Sequence, residues 1–223
     1  MTNGTVINIC FHGIGTPQRE LEPGEDRYWV GEDLFHAVLD EVRTWPGAVR
    51  LSFDDGNASD VEIGLPALRE RDLVADFFVL AARLESPGSL DEDAVRLLHK
   101  SGMTIGSHGM WHRPWRGLDA ATSDAELVQA RARLAAVAGT GVDTAACPLG
   151  RYDRELLGRM RRLGYRRVFT SDRRRARAGS WLQPRYSVRR DDTPDSLRAE
   201  ALVGPGMLSR LKLEAVGAVK RLR

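Results

Sequence analysis

Short apolar runs alternate with longer amphipathic stretches along nearly the whole of this 223-residue chain. Five segments of helical periodicity each follow a run of strand length within the first 165 residues. This alternation is typical of repeated β-α units on a mostly parallel sheet. Because no glycine-rich phosphate loop follows the first run, a closed or nearly closed (β/α) barrel fits better than an open doubly wound sheet.

The pattern predicts strands and helices in regular succession. Ser123 and Glu126 form a capping-box pair that predicts the start of one helix. We expect one barrel domain over residues 1–205 and a basic amphipathic helix over 206–223. Strands are predicted at 6–11, 48–53, 75–79, 104–106, 144–147, 167–170 and near 181–188. Helices are predicted at 31–43, 58–71, 91–101, 123–138, 153–163, 194–201 and 208–222.

The net charge of +2 hides an asymmetry between the two parts of the chain. Residues 1–150 carry 13 Lys and Arg against 23 Asp and Glu, whereas residues 151–223 carry 20 against 8. The basic part indicates either an anionic partner, such as a phosphate-bearing carrier or a membrane surface, or a solvated arginine-rich face. With no signal-peptide pattern and no segment of membrane-spanning length, we expect a cytoplasmic protein without a nucleic-acid partner.

Two adjacent carboxylates, Asp54 and Asp55, follow the second predicted strand and precede Gly56. Like charges this close resist joint ionisation, and a bound cation relieves that cost. One carboxylate is then available as a metal ligand and the other as a base. Asp-Gly is also a common turn signal, so this pattern alone leaves a simple turn equally open.

Two histidines, His108 and His112, follow the fourth predicted strand at a spacing of four residues. On a helical turn this spacing places both imidazoles on one side, within reach of a single ion. Catalytic groups of (β/α) barrels lie at the carboxyl ends of strands, where Asp55 also falls. A set of two histidines and one aspartate leaves coordination positions open, which is typical of a catalytic metal site.

Three motifs in this order resemble those of the polysaccharide deacetylases with a NodB homology domain. Residues 52–56 read Ser-Phe-Asp-Asp-Gly, and residues 107–112 read Ser-His-Gly-Met-Trp-His. The third, residues 146–153, reads Ala-Cys-Pro-Leu-Gly-Arg-Tyr-Asp after a predicted strand. The resemblance extends over roughly residues 7–188. It implies a distorted (β/α) barrel of the NodB type and the metal-dependent hydrolysis of an N-acetylated sugar.

Carried over by motif, the resemblance implies that Asp55, His108 and His112 bind the metal and that Asp54 is the general base. Zn²⁺ suits this ligand set, with Co²⁺, Ni²⁺ and Mn²⁺ left open. A backbone N–H at Leu149 or Gly150 would help to hold the oxyanion.

Two departures from the family pattern concern the groups around the base. Ala146 stands where many members have an arginine, and Arg185 is our candidate to pair with Asp54 instead. No histidine follows His112, so the usual position of the general acid is vacant. His12, at the end of the first predicted strand, either replaces that acid or merely shapes the mouth of the barrel.

Further expectations concern the rim of the site and the substrate. Trp111 and Trp115 are the tryptophans nearest the histidines, and either stacks on a sugar or packs in the core. The long loop at residues 16–29 is a candidate lid. The C-terminal helix either closes the barrel or lies on an anionic membrane. The expected substrate is an N-acetylated sugar or glycan, either free or linked to a phosphate or a lipid. The alternatives are a related amide hydrolase, such as a deformylase of a lipid-linked amino sugar or an amidase on a cyclic small molecule, and a non-catalytic glycan or lipid-carrier binder. The oligomeric state is left open.

Overall fold

A single sheet of nine strands curls into a nearly closed barrel in the computed structural model, which describes residues 4–203, 215 and 217–220. Strands β1 to β6 are parallel neighbours in chain order, and β8 continues the sheet beyond β6. The bounds are Thr5–Phe11 for β1, Ala48–Asp55 for β2, Ala75–Val79 for β3, Thr104–Ser107 for β4, Thr144–Ala146 for β5, Arg167–Thr170 for β6, Ala176–Arg177 for β7, Leu182–Pro184 for β8 and Tyr186–Ser187 for β9.

The barrel closes where the chain passes from β8 to β9. Strand β8 pairs with β6, and β9 pairs in parallel with β1, so Arg185 lies at the junction between them. Its N–H donates to Thr170 O over 2.8 Å. The side-chain amide of Asn8 donates to Pro184 O over 2.9 Å and fastens β1 to the same segment. The predicted nearly closed (β/α) barrel is confirmed.

The helices pack outside the sheet, and each begins or ends within a few residues of its predicted position. Helix α1 spans Glu32–Val42, α2 Leu65–Glu70, α3 Glu92–Lys100, α4 Ala120–Asp124, α5 Ala130–Ala138, α6 Arg154–Arg162 and α7 Pro194–Arg198. Three short segments are π-helical. Asp60–Gly64 precedes α2, Ala125–Gln129 joins α4 to α5, and Ala199–Val203 extends α7. No helix of the described residues combines the length and apolar character that a bilayer span needs.

Alternation along the strands divides the interior into an apolar layer and a polar barrel lumen. In β1 and β2, Ile9, Phe11 and Phe53 belong to the large core between sheet and helices. The intervening Ser52 and Asp54 are buried but face Arg185 inside the barrel. Successive strand residues point to opposite faces, so the register that fills the core also places polar groups in the lumen.

One sequence expectation needs correction, one strand was not predicted, and one expectation lies mostly outside the described residues. The capping box at Ser123 is wrong: Asp119, four residues earlier, caps α4 and accepts from Thr122 N over 2.9 Å. The short strand β7, antiparallel to β1, was not predicted. Most of the predicted helix over 208–222 and of the segment 206–223 lies outside the described residues, of which Ala215 and residues 217–220 are helical.

Candidate active site

The adjacent carboxylates of Asp54 and Asp55 lie at the carboxyl end of β2, beside the barrel lumen. Asp54 pairs in register with Phe78 and Asp55 with Val79, and both carboxylates are buried. The backbone turns sharply here, with φ of 78° at Asp55 and 70° at Gly56. A left-handed conformation costs a non-glycine residue on the order of 1–3 kcal/mol, and such strain is typical of functional sites. The turn directs the two adjacent carboxylates toward different partners.

Asp54 forms a buried ion pair with Arg185. The guanidinium Nη1 and Nη2 donate to the two carboxylate oxygens, each over 2.6 Å, and Nη1 also donates to Ser52 Oγ over 3.1 Å. The guanidinium lies above the rings of Phe78 and Phe169. Burial by itself raises the pKa of Asp54, but the charge of Arg185 outweighs it and holds this pKa below its usual range. The ion pair expected from the sequence is present, and it keeps Asp54 ionised.

Asp55 faces the two histidines of the loop after β4. Its Oδ1 lies 3.5 Å from His108 Nε2 and 3.5 Å from His112 Nε2. The two histidines do not share a helical turn, contrary to the geometry expected from their spacing. Gly109 and His112 both have positive φ, of 89° and 56°, so the segment is an irregular loop. The loop nevertheless brings both imidazoles to Asp55.

Hydrogen bonds at the far nitrogens fix the direction of both imidazoles. His108 Nδ1 lies 3.0 Å from Ala146 O, and His112 Nδ1 lies 2.7 Å from a carboxylate oxygen of Glu22. Both partners only accept, so each Nδ1 carries the hydrogen, and the neutral form of each ring turns the lone pair of Nε2 toward Asp55. Burial lowers the pKa of His108 to about 4 despite the nearby Asp54 and Asp55, which keeps that ring neutral near pH 7.

The resulting cluster fits a divalent metal ion. Asp55 Oδ1 is buried and has no hydrogen-bond partner among the described residues, and two imidazole lone pairs point at it. Three electron pairs that converge without a proton between them repel one another unless a cation is bound. With metal–ligand bonds of about 2.0–2.1 Å, a tetrahedral ion separates its ligand atoms by roughly 3.3–3.4 Å, close to the distances found. Asp55, His108 and His112 also form a group of ligand atoms within 4.8 Å of one another.

Glu126 holds the histidine loop in place, a role that the sequence did not reveal. Its carboxylate is fully buried and accepts from Met110 N over 2.7 Å, Trp111 N over 3.3 Å and Trp115 Nε1 over 3.2 Å. A Cβ at Gly109 would lie 2.2 Å from the same carboxylate, so only glycine fits there. The three-residue spacing to Ser123 suggested a cap, but the side chain turns inward to the loop instead.

His12 follows the end of β1. This strand is the neighbour of β2 on the side opposite to β3 and β4, so His12 approaches Asp54 from the side away from the histidine loop. Cys10, His12 and Asp54 offer ligand-type atoms that all lie within 4.8 Å of one another. The imidazole packs against the ring of Tyr28 in a tilted arrangement at a centroid distance of 5.0 Å, and its buried Nδ1 has no hydrogen-bond partner in the described part of the chain. The structure therefore brings His12 to the carboxylate of Asp54, as its position in the sequence led us to expect.

The loop after β5 narrows the choice of oxyanion donor. Gly150 N–H donates to Cys147 O over 3.1 Å, so it already has a hydrogen-bond partner within the loop. No hydrogen bond from Leu149 N–H occurs within the described residues. Leu149 has a φ of 55°, and its side chain is 55% exposed. Of the two predicted N–H groups, only that of Leu149 is available.

The two tryptophans of the histidine loop have opposite environments. Trp111 is 49% exposed, and the guanidinium carbon of Arg113 lies 5.2 Å from the centroid of its ring. Trp115 is 2% exposed, belongs to an apolar cluster with Leu127 and Tyr152, and donates to Glu126, so it is not available to a substrate. Only Trp111 remains as a stacking surface beside the histidines.

Comparison with known proteins identifies relatives of one kind. A family model described as polysaccharide deacetylase matches residues 41–168, more than half of the chain, including Asp54, Asp55, His108 and His112. A Bacillus subtilis (strain 168) protein named "Putative polysaccharide deacetylase YxkH" is 23% identical over 124 residues, or 56% of this chain. The match spans 44% of that relative, so this chain covers less than half of its length. His12 and Arg185 lie outside the segment that the family model matches.

Solved structures share the fold over most of the chain. The deacetylase PplD of Streptococcus pyogenes, in complex with acetate, superposes with a TM-score of 0.75 at 20% identity, covering 88% of this chain and 97% of that one. IcaB from Ammonifex degensii gives 0.69 at 21% identity, covering 86% and 94%. At such identities the likeness establishes the fold, a barrel of the kind implied by the motifs.

Proposed function

The chain belongs to the polysaccharide deacetylase family, and we propose that it is a metal-dependent hydrolase that removes an N-acetyl group from an amino sugar of a glycan or glycan precursor. The observation that carries this proposal is the convergence of two imidazole lone pairs on the unpartnered Oδ1 of Asp55. An ionised, precisely held Asp54 stands beside that cluster and completes the groups needed for amide hydrolysis.

Asp55, His108 and His112 would hold the metal, with Zn²⁺ the first choice and Co²⁺, Ni²⁺ or Mn²⁺ as alternatives. The chemistry supplied by a divalent cation here is polarisation of the amide carbonyl and a lower pKa for the attacking water. The remaining tasks, which are proton transfer, orientation of the base and charge stabilisation, fall to side chains and backbone groups of this chain.

Asp54 acts as the general base and takes a proton from water as the water oxygen attacks the amide carbon. Arg185 is the positioning residue for that carboxylate, because two hydrogen bonds of 2.6 Å fix its plane. This arginine enters the lumen from the β8–β9 junction and lies over the rings of Phe78 and Phe169, which also pack with Ala146. The small side chain at residue 146 and the guanidinium at residue 185 are thus two parts of one arrangement.

His12 is the proposed general acid, which gives a proton to the departing amine nitrogen as the C–N bond breaks. It shares the neighbourhood of Asp54 and has a ring nitrogen without a hydrogen-bond partner among the described residues. General acid–base transfer of this kind contributes typically about 10²- to 10⁴-fold in rate. The products are acetate and the free amino sugar.

The rim supplies charge stabilisation and a binding surface. Leu149 N–H is the proposed oxyanion donor, since the left-handed turn at this residue leaves it unbonded among the described residues. Trp111 offers an exposed ring for a pyranose face. Exposed Arg113 and Arg151 flank these two residues in the sequence and suit a phosphate-linked substrate. A cytoplasmic location remains a proposal, and contact with an anionic membrane is a proposal from charge alone.

The test is acetate release from N-acetylglucosamine oligomers by protein loaded with Zn²⁺ or Co²⁺, together with its metal content. We expect Asp54→Asn to retain metal and lose about 10²- to 10⁴-fold in kcat, and His12→Ala to lose a comparable amount. His36→Ala, on the outer helix α1, is the matched control and leaves turnover unchanged.

Each outcome selects among the hypotheses. Turnover that ignores both substitutions would refute the mechanism. Metal binding without acetate release, but with formate release from an N-formylated amino sugar, would favour the deformylase. Metal binding without release of either acid would favour a glycan- or carrier-binding protein.

A further inference from the structure

The loop between β1 and α1 contacts both motifs of the proposed metal site. Arg19 donates to Asn57 Oδ1 from Nε over 3.2 Å and from Nη2 over 2.8 Å, and Asn57 follows the two aspartates after one intervening glycine. Three residues later in the loop, Glu22 reaches His112 in the other motif. A salt bridge between Arg19 and Glu25 ties the loop to itself. The loop therefore bridges the two ligand-bearing segments from the solvent side.

The two histidines of the cluster have supports of very different kinds. His108 Nδ1 faces the carbonyl of Ala146, a neutral and fully buried backbone group on β5. His112 Nδ1 faces the charged carboxylate of Glu22 at 2.7 Å, and this side chain is 42% exposed on a loop. The first support is built into the sheet and cannot move independently of it. The second is present only while the loop keeps its position.

We propose that Glu22 is a positioning residue for the metal ligand His112 and couples metal affinity to the order of the β1–α1 loop. This inference rests on the proposed metal site. A carboxylate that accepts from Nδ1–H fixes the ring orientation and increases the basicity of the ligating Nε2. Because binding linkage is reciprocal, metal bound at Nε2 also stabilises the loop conformation that holds Glu22 in place.

Arg83 orients the carboxylate of Glu22 for this task. It ends the short turn Ala81–Arg83 after β3 and forms a salt bridge with Glu22 Oε1, which leaves Oε2 for His112. The side chain of Arg83 is 20% exposed, whereas that of Glu22 is 42% exposed. The turn after β3 thus presents a cation, and the β1–α1 loop places the carboxylate of Glu22 between that cation and His112.

The experiment is a titration of chelator-treated full-length protein with Co²⁺, followed by its visible d–d absorption. We expect Glu22→Ala to weaken Co²⁺ binding by about 10- to 100-fold, the usual effect of losing such a support. Glu22→Gln keeps an oxygen that accepts from Nδ1–H but loses the charge, so its loss is smaller, below about 10-fold. Glu20→Ala, an exposed residue of the same loop, is the matched control and binds like wild type.

Hydrogen exchange supplies the second readout. Addition of Co²⁺ increases amide protection over residues 16–29 in wild type and in Glu20→Ala, but not in Glu22→Ala. An affinity of Glu22→Ala within twofold of wild type, in a protein with the wild-type circular dichroism spectrum, would overturn the inference. If His108→Ala still abolished binding, the proposed metal site would survive that result. A wild-type protein that binds no Co²⁺ would overturn both.

Discussion

Replacement of Arg185 by methionine tests the buried ion pair on which the arrangement of Asp54 depends. The side chains of Arg185 and Asp54 are 0% and 3% exposed, and the two hydrogen bonds between them are each 2.6 Å long. Removal of one partner of such a pair leaves an uncompensated buried charge and costs about 3–5 kcal/mol. Methionine keeps much of the apolar contact with Phe78 and Phe169, so the loss reflects charge more than volume.

The double variant Asp54→Asn/Arg185→Met makes this reasoning quantitative. It removes both charges, so we expect it to recover at least about 2 kcal/mol relative to Arg185→Met alone, a coupling typical of residues in direct contact. Arg190→Met is the matched control. Arg190 pairs with Asp26 at 3.3 Å, and both side chains are more than half exposed, so its loss costs under about 1 kcal/mol.

The assay is urea unfolding of chelator-treated protein, followed by tryptophan fluorescence, so that metal binding does not add to the stability of the folded state. For a domain of this size, a loss of 3–5 kcal/mol corresponds to a decrease in Tm of roughly 6–20 °C. A loss below about 1 kcal/mol for Arg185→Met would refute the reasoning. A double variant as unstable as the sum of the two single variants would do the same.

Three further predictions concern groups around the site. Glu126→Gln removes a charge that accepts three N–H donors and should cost about 2–4 kcal/mol in urea unfolding, whereas Glu155→Gln, near the exposed start of α6, costs under about 0.5 kcal/mol. Gly13→Ala places a Cβ 2.2 Å from the ring of Trp29 and should cost about 1–3 kcal/mol, while Gly31→Ala, with open space around it, is nearly neutral; equal Tm values would contradict this. Burial alone raises the pKa of Asp172, but hydrogen bonds from Lys220, Tyr152 and Thr170 outweigh it and lower this pKa. The stabilisation from Asp172 is therefore complete above its unfolded pKa near ~3.9 and is lost as pH falls through the lower folded value. Unfolding free energies of wild type and Asp172→Asn should converge below about pH 4, and a constant difference down to pH 2 would argue against it.

Lys220 bears on the two interpretations of the C-terminal segment. Its ammonium group donates to Asp172 over 2.8 Å and to Gly150 O over 3.1 Å, beside the proposed oxyanion loop. This part of the segment therefore docks on the barrel, as expected for a helix that closes it. Leu208 and Leu211, which define the amphipathic pattern, lie outside the described residues. The membrane-surface interpretation of the tail stays a prediction.

The sequence by itself determined the barrel and the convergence of its motifs. Strand and helix periods differ, so the β-α alternation could be recognised locally, and strands at 75–79 and 167–170 were predicted to the residue. The carboxyl ends of parallel strands meet at one end of a barrel. Asp55, His108 and His112 therefore had to approach one another once the strands were assigned, whatever path the loop between the histidines takes.

Tertiary structure alone decided which groups support and surround that cluster. In the sequence, Glu22 looks like an ordinary loop residue and Glu126 like a helix-capping residue. Neither local pattern shows that the carboxylate contacts the distant histidine loop in the folded chain. Trp111 and Trp115 lie four residues apart, yet one is exposed and the other is buried. The choice of Leu149 over Gly150 as the available donor depends on a single backbone turn. Periodicity determines which face of an element is buried, whereas side-chain partners in loops depend on contacts between distant segments that only the folded chain brings together.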